Sequence, residues 1–271
     1  MAPLHEHEEI PLRITAYFDF MCPWSYLGRV RLAHALQKIG VKNYRIEWVP
    51  FELYTHNKDH RVSREKIIGH ERLNETYHEL HSLGMRENIL IYPPKYEASS
   101  KRALTGYLYA LSHGCGEKYV DELFRIAFEH TMDISSFAVL RRAAHTLHLN
   151  TEEFLQFIQD EKNHDKIEEY TRVAKLNGVR GVPAYYINHF PITGALSVGE
   201  FEHIIHTAAR KTTPAFVLPE KKTIHLPAAR KKKKKNSTLK TIQKILHTRK
   251  PAPKTKHPKK GKKPAKRAKK R

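Results

Sequence analysis

Arg13-Ile14-Thr15-Ala16-Tyr17-Phe18-Asp19-Phe20-Met21-Cys22-Pro23-Trp24-Ser25-Tyr26-Leu27-Gly28 is the stretch on which the fold turns. Its first six residues alternate and are rich in β-formers, the pattern of a strand. Beyond Pro23, the apolar residues Tyr26, Leu27, Val30, Ala33 and Leu36 recur at helical spacing until Gly40. Cys22 therefore stands at the junction of a strand and a helix. Tyr44-Arg45-Ile46-Glu47-Trp48-Val49 alternates again, after a connection long enough to bring it parallel to the first strand. The product is a β-α-β unit.

Outward from this unit, residues 63–177 are helical in pattern, with stripes at Leu104, Tyr107, Leu108 and Leu111, at Val120, Leu123, Phe124 and Ala127, and at Phe137, Leu140, Ala144 and Leu147. Gly178-Val179-Arg180-Gly181-Val182-Pro183 ends the helical run. Ala184 to Ile187 reads as a strand, Asn188-His189 as a turn, and Ile192-Thr193-Gly194 as a short returning strand. Ser197 and Glu200 have capping-box spacing and open a helix with the apolar face Phe201, Ile204, Ile205 and Ala208. The expected organisation is an extension over 1–11, one α/β domain from 12–62 and 178–210, a helical subdomain inserted at 63–177, and a tail from 211–271.

The charge divides at the same boundary. Residues 1–210 hold 25 basic and 27 acidic residues, a net −2, while residues 211–271 hold 24 basic residues and only Glu220, a net +23. The tail composition cannot bury enough apolar surface to offset its ordering entropy, so it is expected to be disordered. Its clusters are Arg230, Lys231, Lys232, Lys233, Lys234 and Lys235, and then Lys262, Lys263, Lys266, Arg267, Lys269, Lys270 and Arg271. Such density would neutralise many phosphates at once and bind nucleic acid or another polyanion without sequence preference. No aromatic follows Phe216, so base stacking has no support there. The solvated charge run is the plain alternative. An anionic membrane surface is a further partner, with Leu239, Ile242, Ile245 and Leu246 as one face of a basic helix.

No apolar run approaches the length of a membrane span. The N-terminus is acidic where a secretory signal is basic, so the expected location is cytoplasmic, with nuclear or nucleoid association through the tail, and not secreted. Cys22 and Cys115 make no disulfide framework and read as free thiols. Three His pairs, 78/81, 145/148 and 203/206, share helical spacing without further ligands, so no metal site is expected. Gly-rich phosphate loops, nucleophile elbows and dinucleotide fingerprints are absent.

That leaves Cys22. A free cysteine taken alone is most often an inert buried residue. At a helix N-terminus, however, the sulfur faces unpaired N–H groups and the positive end of the helix, an arrangement that favours the thiolate. Cys22 is expected to react faster than Cys115 with an alkylating probe near neutral pH; equal rates for the two thiols, or a Cys22 pKa at or above that of free cysteine, would sink the enzyme reading.

Asp19-Phe20-Met21-Cys22-Pro23-Trp24-Ser25-Tyr26-Leu27-Gly28 resembles the active-site stretch of the DsbA-like thioredoxin-fold proteins, particularly their FrnE-like cytoplasmic branch. Gly178 to Pro183 and Ile192-Thr193-Gly194-Ala195 resemble the same family's cis-proline loop and closing hairpin. The resemblance covers about residues 12 to 208. Ser99-Ser100-Lys101-Arg102-Ala103-Leu104 is similar to a helix start near that family's substrate groove. What the resemblance implies is a thioredoxin fold, β-α-β, helical insert, β-β-α. It further implies Cys22 and Ser25 as catalytic residues, Pro23, Trp24, Val182 and Pro183 as substrate-binding residues, and a cis Val182–Pro183 bond opposite the sulfur.

The branch carries a second Cys where this chain has Ser25. A hydroxyl cannot release a mixed disulfide, so a conventional dithiol cycle through this motif is excluded. A monothiol site working through mixed disulfides with protein thiols or with glutathione as co-substrate, and no bound cofactor, is the expected chemistry. The alternatives are a glutathione-dependent transferase or isomerase of the kappa and 2-hydroxychromene-2-carboxylate isomerase type, and a catalytically weakened module carried to nucleic acid by its tail. Cys115, in a turn between helices, is expected to take no part.

Overall fold

The computed structural model describes residues 12–54 and 62–210. β1 (Leu12–Phe18) leads into α1 (Pro23–Ile39) and β2 (Tyr44–Pro50). A helical region follows, made of β3 (Val62–Ser63), α2 (Arg64–Ile68), α3 (His70–Arg86), β4 (Tyr96–Glu97), α4 (Lys101–Ser112), α5 (Gly116–Phe124), α6 (Phe137–Thr146), α7 (Thr151–Gln159) and α8 (Glu161–Leu176). β5 (Ala184–Ile187), β6 (Phe190–Thr193) and α9 (Val198–Arg210) close the fold.

The main sheet has the order β2-β1-β5-β6. β1 runs parallel to β2, from Leu12 opposite Tyr44 to Phe18 opposite Pro50, and antiparallel to β5, where Tyr17 faces Ala184. This topology is the thioredoxin fold. Because β1 and β5 are antiparallel, the end of β1 and the loop before β5 lie at the same edge of the sheet. Cys22 and Val182 are neighbours for that reason.

Side chains alternate between the two faces. Ile14, Ala16 and Phe18 of β1 join Tyr185 and Ile187 of β5 with Leu27 and Leu32 of α1 and Phe201 and Ile205 of α9 in the larger core. Tyr17, Val49, Phe51 and Ala184 point the other way and pack on Ala174 at the end of α8. Gly28 lets α1 descend onto β5, since a Cβ there would collide with the Tyr185 hydroxyl. Gly40 ends α1 in the left-handed region, at φ 72°, where its N–H closes on Leu36 and Gln37 carbonyls. The Ser197–Glu200 box forms in both directions: Ser197 N donates to Glu200 Oε2 at 2.7 Å and Glu200 N to Ser197 Oγ at 3.3 Å.

Two details differ from the sequence expectation. The stretch expected to be helical from residue 63 also contains the β3–β4 ribbon, in which Val62 pairs with Glu97 and Ser63 with Tyr96. Strands of two residues carry no readable alternation. The returning strand is Phe190–Thr193, with Pro191 on the sheet's edge strand where its missing donor costs no ladder bond.

Candidate active site

The turn that carries Cys22 is built by Asp19. Its Oδ1 accepts the Met21 N–H at 2.8 Å, its Oδ2 accepts the Leu53 N–H at 2.7 Å, and its carbonyl accepts the Cys22 N–H at 3.0 Å. One buried carboxylate thus ties the β1 exit to the segment after β2. Burial raises its pKa, and the two backbone donors oppose that shift. Cys22 is the N-cap of α1, with Pro23 next, and the first helical bonds run from Ser25 N and Tyr26 N to the Cys22 carbonyl at 3.0 and 3.4 Å.

The sulfur itself caps nothing. Cys22 is 6% exposed and its Sγ–H donates to the Val182 carbonyl at 3.3 Å. The Val182–Pro183 peptide bond is cis. Val182 is half-buried and Pro183 buried, Pro23 is buried under the sulfur-bearing turn, and Trp24 is half-buried. Ser25 is buried, with its hydroxyl close enough to the Cys22 sulfur to favour the thiolate though not in a formed hydrogen bond, and the Tyr185 hydroxyl on β5 is buried without a partner.

These contacts reverse the expected acidity. Burial pushes the Cys22 thiol up to about 11, and the Ser25 hydroxyl with the Ser25 and Trp24 N–H groups only partly offsets it. Removal from water outweighs what the N–H groups at the start of α1 contribute. Cys22 is accordingly a neutral thiol that uses its proton as a hydrogen-bond donor to the Val182 carbonyl. The low-pKa thiolate expected from the helix terminus is therefore not what this structure holds, and on the criterion set by the sequence that stands against an enzyme reading that rests on the acidity of Cys22.

Four residues that the motif reading left without a role stand around this turn. Arg64, Glu97 and Tyr77 are buried beside Met21, and Glu52 is buried next to Leu53. Burial pushes the Glu52 carboxyl up to about 7, against the pull of Lys101, whose Nζ is 3.6 Å from Oε2. Local sequence gives no sign of them. Arg64 and Glu97 are 33 residues apart and each sits in a polar context that reads as solvated surface.

Cys115 is half-buried at the start of α5, and its Sγ–H donates to the Ala110 carbonyl at 3.5 Å. Both cysteines are free. Among the described residues no group of three or more His, Cys, Asp or Glu side chains is placed to hold a metal ion. No helix among them is long and apolar enough to cross a membrane. The basic residues from Arg230 to Lys235 and from Lys262 to Arg271, with the expectation of a disordered tail, lie outside the described residues.

Comparison with known proteins places the fold. The family described as DSBA-like thioredoxin domain matches residues 13–206. A probable DsbA oxidoreductase from Streptomyces coelicolor superposes with a TM-score of 0.69 at 21% identity, over 76% of this chain and 94% of that one. A 2-hydroxychromene-2-carboxylate isomerase follows at 0.62 and 19% identity, over 73% and 96%. The cytosolic disulfide reductase DsbM from Pseudomonas aeruginosa, solved with GSH, gives 0.52 at 15% identity, over 73% and 96%. These likenesses are likenesses of fold.

Proposed function

The chain belongs to the DSBA-like thioredoxin domain family, and from that premise we propose that it is a monothiol thiol-disulfide oxidoreductase whose reacting atom is the Cys22 sulfur. The observation that carries the proposal is the hydrogen bond from Cys22 Sγ to the Val182 carbonyl, at the end of the sheet where β1 finishes and β5 begins.

In the resting state that bond stores the proton on sulfur. An extended disulfide substrate pairing with the Val182 backbone brings an N–H that competes for the same carbonyl. The sulfur is then released to attack. The Cys22–S–S–R bond forms, the substrate S–S bond breaks, and the leaving thiolate takes up the Cys22 proton. Ser25 gains an acceptor for its unpaired hydroxyl but supplies no second sulfur. A glutathione thiol completes the cycle by attacking the mixed disulfide, giving a glutathione disulfide and returning its proton to Cys22. DsbM, of the same fold, was solved with GSH, which supports this choice of thiol. The sites assigned are Cys22 and Ser25 for the chemistry, and Pro23, Trp24, Val182 and Pro183 for binding.

The test is glutathione-dependent reduction of a small disulfide by the full chain. Cys22→Ser is expected to abolish it and Cys115→Ser to leave it unchanged. Activity that survives Cys22→Ser contradicts the proposal. Binding of glutathione with no exchange at all transfers support to the isomerase-type chemistry of the second neighbour.

For residues 211–271, the net +23 against −2 for the rest of the chain supports polyanion binding as a separate task of that segment.

A further inference from the structure

A buried cation grips the Cys22 turn by its backbone. Arg64 opens α2, and because β3 pairs with β4, the residue after Ser63 arrives beside Glu97. The two side chains are 4% and 2% exposed, with Arg64 Nε 2.7 Å from Glu97 Oε2. Arg64 Nη2 donates to Glu97 Oε1 at 3.2 Å and to the Met21 carbonyl at 2.8 Å. Nη1 donates to the Tyr77 hydroxyl. The Met21 carbonyl belongs to the peptide group whose nitrogen is that of Cys22.

Stability alone does not call for this arrangement. Removing a guanidinium and a carboxylate from water costs free energy that their attraction barely repays, and an apolar pair of similar volume packs as well. An apolar pair, however, neither holds a carbonyl nor places a charge behind the sulfur. The ionisable groups around the turn are Asp19 from the turn itself, Glu52 and Tyr54 after β2, Tyr77 on α3, Glu97 on β4 and Tyr185 on β5, with Lys101 of α4 set against Glu52 and Arg29 of α1 acting on Tyr185. Among the cations, Arg64 is the one that hydrogen-bonds the backbone of the turn itself, at the Met21 carbonyl.

We propose that Arg64 is a positioning residue for Cys22: its fork fixes the carbonyl leading into the cysteine, and its charge, partly cancelled by Glu97, favours the thiolate. The inference rests on the reading of Cys22 as the reacting thiol. It goes further in assigning control of that thiol to the helical region between β2 and β5.

The experiment is the rate of Cys22 alkylation by iodoacetamide against pH, read by peptide mass in the full chain, with Cys115 as internal control. Arg64→Gln is expected to move the Cys22 profile up by about one pH unit and slow the reaction at pH 8 about three- to tenfold. The thiolate fraction falls tenfold per unit, and the more basic sulfur recovers part of that loss. Glu97→Gln, which frees the charge, is expected to move the profile the other way. Arg64→Lys keeps the charge and is expected to keep the midpoint. Cys115 stays unchanged throughout.

Shifts of the same sign in Arg64→Gln and Glu97→Gln, or unmoved profiles in those two variants when folded, overturn the proposal. If one Gln variant does not fold, the other decides: an upward profile in Arg64→Gln or a downward one in Glu97→Gln supports the proposal, and an unmoved or opposite profile overturns it. If neither folds, the apolar double variant Arg64→Met with Glu97→Leu takes their place, with an upward profile expected and an unmoved or downward one overturning the proposal. Alkylation needs no disulfide substrate. These rates therefore stand apart from the exchange assay, and either reading can fail without the other.

Discussion

Cys22 is the proposed reacting residue, and its burial sets the first prediction. With the thiol pushed up to about 11, alkylation near neutral pH proceeds through a minor thiolate fraction. The Cys22 rate is therefore expected to climb about tenfold per pH unit from pH 7 to 9 without a plateau. A plateau below pH 9 would show a more acidic sulfur than this structure holds. Glu52 gives a second prediction. Its folded pKa of about 7 lies above the unfolded value, so its contribution is fully present at low pH and is lost as pH rises through the folded pKa. Between about pH 4.5 and 7 the protein is expected to lose on the order of 2–3 kcal/mol from this group, and Glu52→Gln to flatten that decline. Thermal melts across this range check it. An equal decline in the variant would assign the pH dependence elsewhere. The position of Cys22 at a strand–helix junction was legible in the sequence, because a β-forming run, a proline and a helical stripe are all local signals. Its acidity was not, since desolvation depends on what packs over the sulfur from residues far away in the chain. The Asp19, Arg64 and Glu97 assembly escaped for the same reason.

At the scale of elements, local signals carried most of the fold. The strands flanking Cys22, the end of α1 at Gly40 and the capping box before α9 are each marked by neighbours within a few residues. The β3–β4 ribbon is not, because its two pairs join segments that have no strand pattern of their own. The contact between α1 and β5 is likewise tertiary, and it turns on one missing side chain. Gly28→Ala sets a Cβ against the Tyr185 hydroxyl on a buried face, and is expected to cost about 1–3 kcal/mol by overpacking. A fall in Tm of several degrees is the expected readout. An unchanged Tm would mean that α1 slides on the sheet without cost. Such a shift would also displace Ser25, one turn earlier on the same helix, so Cys22 reactivity is expected to change with stability.

At the scale of the whole molecule, a nearly neutral fold is joined to a segment of net +23. That segment is expected to bind duplex DNA or RNA with little sequence preference and with affinity falling steeply as salt rises. A chain ending at Arg210 is expected to lose this binding and to keep Cys22 chemistry, because the turn, α1 and the Val182 loop all precede that point. Binding that persists after truncation would place a polyanion surface on the fold itself. The central claim, a single reacting sulfur with a hydroxyl where a resolving thiol would stand, is tested most directly by intact mass of the natural chain and Ser25→Cys after treatment with oxidised glutathione. The account predicts a persistent glutathione adduct at Cys22 in the natural chain, and its replacement in the variant by an internal disulfide between Cys22 and the introduced thiol. No adduct at Cys22, or an adduct that survives unchanged in Ser25→Cys, would contradict it.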